Sequence, residues 1–293
     1  MRLIFAAVFL CVGAAVATCA SASTIQMRDI AIAIPITDLS GQAWSMRGHV
    51  CAPVDTARPR LAVINHGSPP NPSDRPTMKP EGCESEVAVW FAQHGFASVF
   101  VLRLGYGETG GPWTEGYKTC SAADYAHAGL ETARQIDAIV RGVQTLDGFD
   151  PQNVVVVGQS AGGWGTIAYA SKEHPHVVGL INMAGGRGGH YHERPNSNCQ
   201  PEHLVDAVGQ FGATARTPML WIYSKNDSFF NPTLAEGMAD AFQRTGGAMT
   251  FVAADAFERD GHHLFTGRGG SRIWGPLFEK YFESLSATGP LQK

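Results

Sequence analysis

Hydrophobic positions fall into short runs separated by turn residues, and the runs switch between strand-like and helix-like spacing. Gln26 to Ile36 and Gln42 to Ala52 are extended segments on either side of a Leu39-Ser40-Gly41 turn, the pattern of an antiparallel hairpin. Arg60 to Asn65 predicts a short buried strand, and the loop after it, His66 to Pro80, is heavy in proline. Glu84 to His94 repeats its apolar residues at helical spacing and stops at Gly95. Phe96 to Leu104 reads as another strand, closed by the loop Gly105-Tyr106-Gly107-Glu108-Thr109-Gly110-Gly111. Ala122 to Leu146 predicts a long amphipathic helix and Asn153 to Val157 a strand. Beyond these, Val177 to Asn182, Met219 to Tyr223 and Met249 to Ala253 are strand-like, while Leu234 to Thr245 and Ser271 to Ser284 are helical. Strands that alternate with helices imply a mainly parallel sheet with right-handed crossovers, here preceded by a hairpin.

One junction carries chemistry. Val154-Val155-Val156-Val157 suits a central strand covered on both faces. It runs through Gly158-Gln159-Ser160-Ala161-Gly162 into a stretch of small, helix-compatible residues up to Lys172. A serine at such a strand-to-helix corner is forced toward positive φ, and the positions two residues away on each side must be small because the backbones nearly touch. Gly158 and Gly162 meet that demand, so Ser160 is the candidate nucleophile. The amide of Ala161, at the start of the following helix, is placed to donate to an oxyanion.

A serine hydroxyl needs a base, and the base needs an acid to hold its tautomer. In an open parallel sheet both belong on loops at the carboxyl ends of strands. Asp227 directly follows the Met219 to Tyr223 run, and Asp255 and Asp260 are its rivals. Asp260-Gly261-His262-His263 follows the last strand; His262 is preferred over His263 because Gly261 allows the loop a close backbone approach. His66-Gly67-Ser68 ends the Arg60 to Asn65 strand, so the amide of Ser68 is the second candidate oxyanion donor and His66 reads as structural. Arg103 and Tyr106 also read as structural, and Trp164 suits the pocket or the core equally.

Composition narrows the setting. The chain has 293 residues, 44% of them hydrophobic and 16% charged, enough for one large α/β domain over residues 23–293. Met1 to Leu10 begins with a basic residue and becomes apolar, and small residues follow at Ala20-Ser21-Ala22, the pattern of a secretory signal peptide spanning residues 1–22. Cleavage after Ala17 and lipidation at Cys19 are the alternatives. Loss of Arg2 with the leader makes the chain one unit more negative than its formal −4, so no nucleic-acid partner is expected. No later apolar run has spanning length, so no membrane partner is expected after processing. Cys51, Cys83, Cys120 and Cys199 remain, and in an oxidising compartment they suggest two disulfides with three possible connectivities. Cys120 and Cys199 both fall near the expected catalytic edge, which favours their pairing and that of Cys51 with Cys83. No zinc-like cysteine spacing is present, and neither a metal nor another cofactor is expected.

These motifs together make the chain resemble the α/β-hydrolases, and it is similar to their dienelactone hydrolase and prolyl-oligopeptidase-like esterase branches over residues 26–286. The carriers are His66-Gly67-Ser68, the Gly105 to Gly111 loop, Gly158 to Gly162, Asn226-Asp227 and Gly261-His262, with the order serine, acid, histidine kept. The resemblance implies an α/β-hydrolase fold, a mainly parallel sheet of about eight strands with helices on both faces. It also implies an extracytoplasmic serine hydrolase acting on a small-molecule carboxylic ester. An amidase or peptidase of the same fold, and a catalytically inert binding protein, are the alternatives. Serine stands where dienelactone hydrolases carry cysteine, so lactone specificity is not implied; no propeller domain precedes the catalytic residues. The segment Gly185 to Cys199 is expected to border the pocket. Its Arg187, His190, His192 and Arg194 read as solvated loop residues held by Cys199, with acidic-substrate binding as the alternative. A metal set of His190, His192 and His203 is not expected. Acyl length, ester against amide preference and oligomeric state are left open.

Overall fold

A computed structural model describes residues 25–287. Its strands are β1 (Met27–Thr37), β2 (Ala43–Pro53), β3 (Arg60–Asn65), β4 (Phe96–Val101), β5 (Asp150–Gln159), β6 (Val177–Met183), β7 (Met219–Ser224) and β8 (Met249–Ala254). They form one eight-stranded sheet in the order β1-β2-β4-β3-β5-β6-β7-β8. The β1–β2 and β2–β4 pairings are antiparallel, and the rest are parallel. The helices are α1 (Glu86–Gln93), α2 (Tyr125–Val143), α3 (Ala161–Tyr169), α4 (Pro201–Gly212), α5 (Pro232–Arg244) and α6 (Ser271–Ala287).

The valine run of β5 shows why the sheet is covered on both faces. Side chains alternate along a strand, so Val154 and Val156 pack with α2, α3, α4 and α5. Val155 and Val157 pack with α1 and α6. All four are fully buried, each at a gain on the order of 2 kcal/mol, and a polar residue at any of them would lose that gain. Three helix starts, those of α1, α2 and α5, are set by side-chain caps. Ser85 accepts from the amide of Ala88 at 3.3 Å, Asp124 from that of His127 at 2.9 Å and Asn231 from that of Leu234 at 3.0 Å.

Three elements differ from the sequence expectation. The strand expected to reach Leu104 ends at Val101. Leu102 and Leu104 stay buried, but the amide of Leu104 turns away to bond Gln135 Oε1 at 2.8 Å. β5 begins at Asp150 despite Pro151, because the pairing with β3 jumps from Arg60 opposite Asp150 to Ala62 opposite Val155, and this bulge takes up the proline. α4 lies outside the elements expected from the sequence, although Leu204, Ala207, Val208 and Phe211 form a buried helical stripe.

Cys51 is bonded to Cys83 and Cys120 to Cys199, the pairing favoured from the sequence. The first ties β2 to the segment entering α1; the second ties the turn before α2 to the turn before α4. The expected leader, with Cys11 and Cys19, lies outside the described residues. Among the described residues no helix is long and apolar enough to cross a membrane.

Candidate active site

Ser160 sits between β5 and α3 at φ 55°, ψ −117°. This backbone is costly for any residue with a Cβ, and it persists only where the surroundings hold it. Here the amide of Ser160 donates to Met183 O at 3.0 Å, and its carbonyl accepts from Trp164 N at 2.9 Å and Gly186 N at 3.2 Å. The flanking glycines are required by contact. A Cβ on Gly158 would lie 2.2 Å from Gly162 O, and one on Gly162 would lie 2.3 Å from Asn65 O.

The two residues picked from strand ends meet at Ser160. His262 Nε2 lies 3.0 Å from Ser160 Oγ, and His262 Nδ1 lies 3.1 Å from Asp227 Oδ2. Asp227 is 2% exposed and His262 4%. Asp227 Oδ1 also accepts the amides of Phe229 at 2.8 Å and Phe230 at 2.9 Å, so the carboxylate cannot swing away from the ring. Phe229 stacks on the imidazole with centroids 4.1 Å apart. At Gly261 a Cβ would stand 2.2 Å from Ser224 Oγ, which is the close approach expected there.

The rival residues do other things. Asp255 is exposed and pairs with Lys225 at 2.7 Å. Asp260 clasps the loops: its Oδ1 accepts the amides of Ser228 and His262, each at 3.0 Å, and its Oδ2 accepts Ser228 Oγ–H at 2.6 Å. Burial opposes its charge, but the bond from Ser228 and these amides hold its carboxyl below the usual range. His263 is exposed. His66 Nε2 accepts the amide of Arg103 at 3.1 Å, while Nδ1 faces Gly67 O at 2.6 Å. Burial, and then the Arg103 guanidinium, push His66 down to about 3, so it is a neutral brace for the loop after β3.

A cavity of about 270 Å³ opens beside the hydroxyl, and Ser160, Ala161 and Ser68 all line it. The Ser68 loop runs against the elbow, since a Cβ on Gly67 would stand 3.1 Å from Ser160 Cβ. Trp164 does not reach the cavity; it is fully buried in the core, with Nε1 bonded to Tyr125 O at 2.9 Å. Two arms form the far wall, Trp113 to Lys118 and Gly186 to Gly189, and the Cys120–Cys199 bridge joins the segments that carry them.

One expectation about this wall is overturned. Arg187 is not a solvated loop residue: it is 6% exposed and its Nη2 donates to Glu115 Oε2. Glu115, with no exposed surface, also receives Arg103 Nε and, at 3.1 Å, Tyr106 O–H. Glu115 carried no signal in the sequence, because its partners are twelve and seventy-two positions away. His192 and Arg194 are exposed, whereas His190 is half-buried, bonded to Ser228 Oγ at 2.8 Å and stacked on Phe229. Among the described residues, the one grouping of ligand atoms close enough for a metal is His49 with Cys51 and Cys83, whose sulfurs are joined in a disulfide.

No protein-family model matches the chain, and no curated protein matches it in sequence. Solved structures do match in shape. An esterase of Pyrococcus furiosus aligns over 91% of this chain and 94% of its own, with a TM-score of 0.57 at 11% identity. Est1E from Butyrivibrio proteoclasticus, with ferulic acid bound, aligns over 87% and 99%, with a TM-score of 0.57 at 16% identity. An acylaminoacyl peptidase of Pyrococcus horikoshii aligns over 88% of this chain and 41% of its own, with a TM-score of 0.58 at 15% identity. The chain therefore has the α/β-hydrolase fold.

Proposed function

We propose that the protein is a serine hydrolase that cleaves carboxylic esters through an acyl-enzyme. The observation that carries this reading is the unbroken chain from Ser160 Oγ through His262 to Asp227, set at a strained elbow on the wall of a cavity. In this mechanism His262 Nε2 takes the hydroxyl proton as Oγ attacks the ester carbonyl. Asp227 keeps the proton on Nδ1 and stabilises the imidazolium. The amides of Ala161 and Ser68 receive the oxyanion, a role supported by their place on the same cavity wall. His262 then gives its proton to the leaving alcohol, and a water activated by the same ring releases the acid. The names of the fold neighbours, two of which are an esterase and a peptidase, support a hydrolase. The N-terminal leader pattern and the two disulfides favour an extracytoplasmic site of action.

The test is Ser160→Ala against wild type on 4-nitrophenyl acetate and the matching 4-nitroanilide, with fluorophosphonate labelling in parallel. We expect ester turnover to fall at least about 10³-fold and labelling to vanish, with the melting temperature unchanged. Turnover near wild type would remove Ser160 as nucleophile. Faster cleavage of the anilide than of the ester would replace the esterase reading with an amidase.

A further inference from the structure

The cavity beside Ser160 has a charge imbalance that ester hydrolysis does not require. Arg75, Lys118 and Arg187 line it, and no aspartate or glutamate does. Behind the wall, the Glu115 carboxylate faces two guanidiniums, Arg103 and Arg187, so the buried cluster retains one unneutralised positive charge. Burial works to protonate Glu115, but Arg103 and then Arg187 hold it down to about 2, which preserves this balance at neutral pH.

Arg75 adds a second positive charge. Its guanidinium lies 3.4 Å from the centre of the Trp113 ring, and among the described residues no carboxylate pairs with it. The buried Nε atoms of Arg75 and Arg187 both lack a hydrogen-bond partner. Lys118 differs: it is exposed and paired with Asp124 at 2.8 Å, so it belongs to the rim. Arg187 is buried and Arg75 half-buried, and positive charge held there without full compensation is costly; an anion in the cavity would offset it.

We propose that this cavity is a carboxylate subsite formed by Arg75 and Arg187, and that the enzyme acts on esters carrying a free carboxylate. The inference rests on the hydrolase reading above. A guanidinium presents donors that match the two oxygens of a carboxylate. Trp113, Tyr117, Phe229 and Phe230 supply aromatic walls, which suit a small organic acid better than a bare inorganic anion. A neutral ester would leave Arg75 and the surplus charge of the Arg103–Glu115–Arg187 cluster without a counter-ion, and discrimination follows from that difference.

Two matched pairs test it, one for each end of the ester: mono-4-nitrophenyl adipate with 4-nitrophenyl hexanoate, and 4-acetoxybenzoate with its methyl ester. In at least one pair, kcat/KM should favour the anion by about 10-fold or more, since a charge-assisted hydrogen bond is of that order. Arg75→Gln should shrink that ratio by about 10- to 100-fold, mainly through KM. Arg187→Lys, which keeps a cation against Glu115, should shrink it by a smaller factor. Hydrolysis of the neutral esters with no preference for either anion, or an equal loss on both members of a pair in Arg75→Gln, overturns the subsite and leaves the hydrolase reading intact. No turnover of any ester together with no fluorophosphonate labelling overturns both.

Discussion

Asp227→Asn separates an acid that sets a tautomer from one that merely fills space. In the wild type, Oδ1 takes two backbone amides, from Phe229 at 2.8 Å and Phe230 at 2.9 Å, while His262 Nδ1 lies 3.1 Å from Oδ2 and 3.2 Å from Oδ1. An asparagine must keep its oxygen on those two donors, so its NH₂ takes the Oδ2 position. A donor there favours the tautomer in which Nδ1 accepts over one in which Nδ1 shares an oxygen already taken by two amides, and the ring proton moves to Nε2, 3.0 Å from Ser160 Oγ. The imidazole then cannot take the serine proton. Loss of the base, and of the charge that stabilises the imidazolium, should cost about 10²- to 10⁴-fold in kcat, or about 3 to 5.5 kcal/mol of barrier. The fold should tolerate the change, because volume is conserved and both amides stay satisfied, so the melting temperature should move by less than about 3 °C. Steady-state hydrolysis of 4-nitrophenyl acetate and the rate of fluorophosphonate labelling should fall together. Asp255→Asn is the control: that carboxylate is exposed and paired with Lys225, and no loss is expected. An Asp227→Asn enzyme within threefold of wild type in both assays would refute the tautomer reasoning.

Stability should depend on pH through two groups on the wall behind the cavity. Glu115 titrates at about 2 in the folded state against an ordinary 4.5, so its contribution is complete above pH 4.5 and is lost as pH falls toward 2. His66 is held neutral down to about 3 against an ordinary 6.5, so the unfolded chain takes up that proton first and stability also declines as pH falls from 6.5 toward 3. Calorimetry should show the melting temperature falling below pH 6.5, and His66→Gln should flatten the slope between pH 6.5 and 4.5 while the steeper fall below 4.5 remains; an unchanged slope refutes the His66 assignment. The disulfides should divide by position. Bridges spanning 32 and 79 residues constrain the unfolded chain by about 4 kcal/mol each in the loop-entropy estimate, so replacing either pair by serine should lower the melting temperature. Of the two bridges, Cys120–Cys199 joins the two arms of the cavity wall, so its loss alone should also raise KM; an equal rise on removing Cys51–Cys83 would contradict this placement, and four free thiols in mass spectra of the non-reduced protein would contradict both bridges.

What could be read from the chain was local. Val154 to Gly162 carries its own stereochemistry: four buried β-branched residues, then a corner at which a Cβ on either glycine meets backbone at 2.2 or 2.3 Å. Asp227 and His262 were found because their loops follow strands whose hydrophobic runs end close to where the sheet ends. Asp260 shows the limit of that rule. It stands two residues before the histidine, as well placed in sequence as any acid, yet it binds the amides that shape the loop, while Asp227 points along the ring. Strand-end position identifies both carboxylates, and only the third dimension says which one meets the imidazole. The Glu115 cluster lies further out of reach, since Arg103 and Glu115 come from the β4–α2 connection and Arg187 from the β6–α4 connection, with no common period. These residues, with Arg75, also set the charge of the cavity. The proposed catalytic residues are therefore legible because each must satisfy a rigid turn or strand end. The proposed carboxylate subsite is not, because a buried ion cluster constrains only the sum of its charges and can draw them from any loop that reaches the wall.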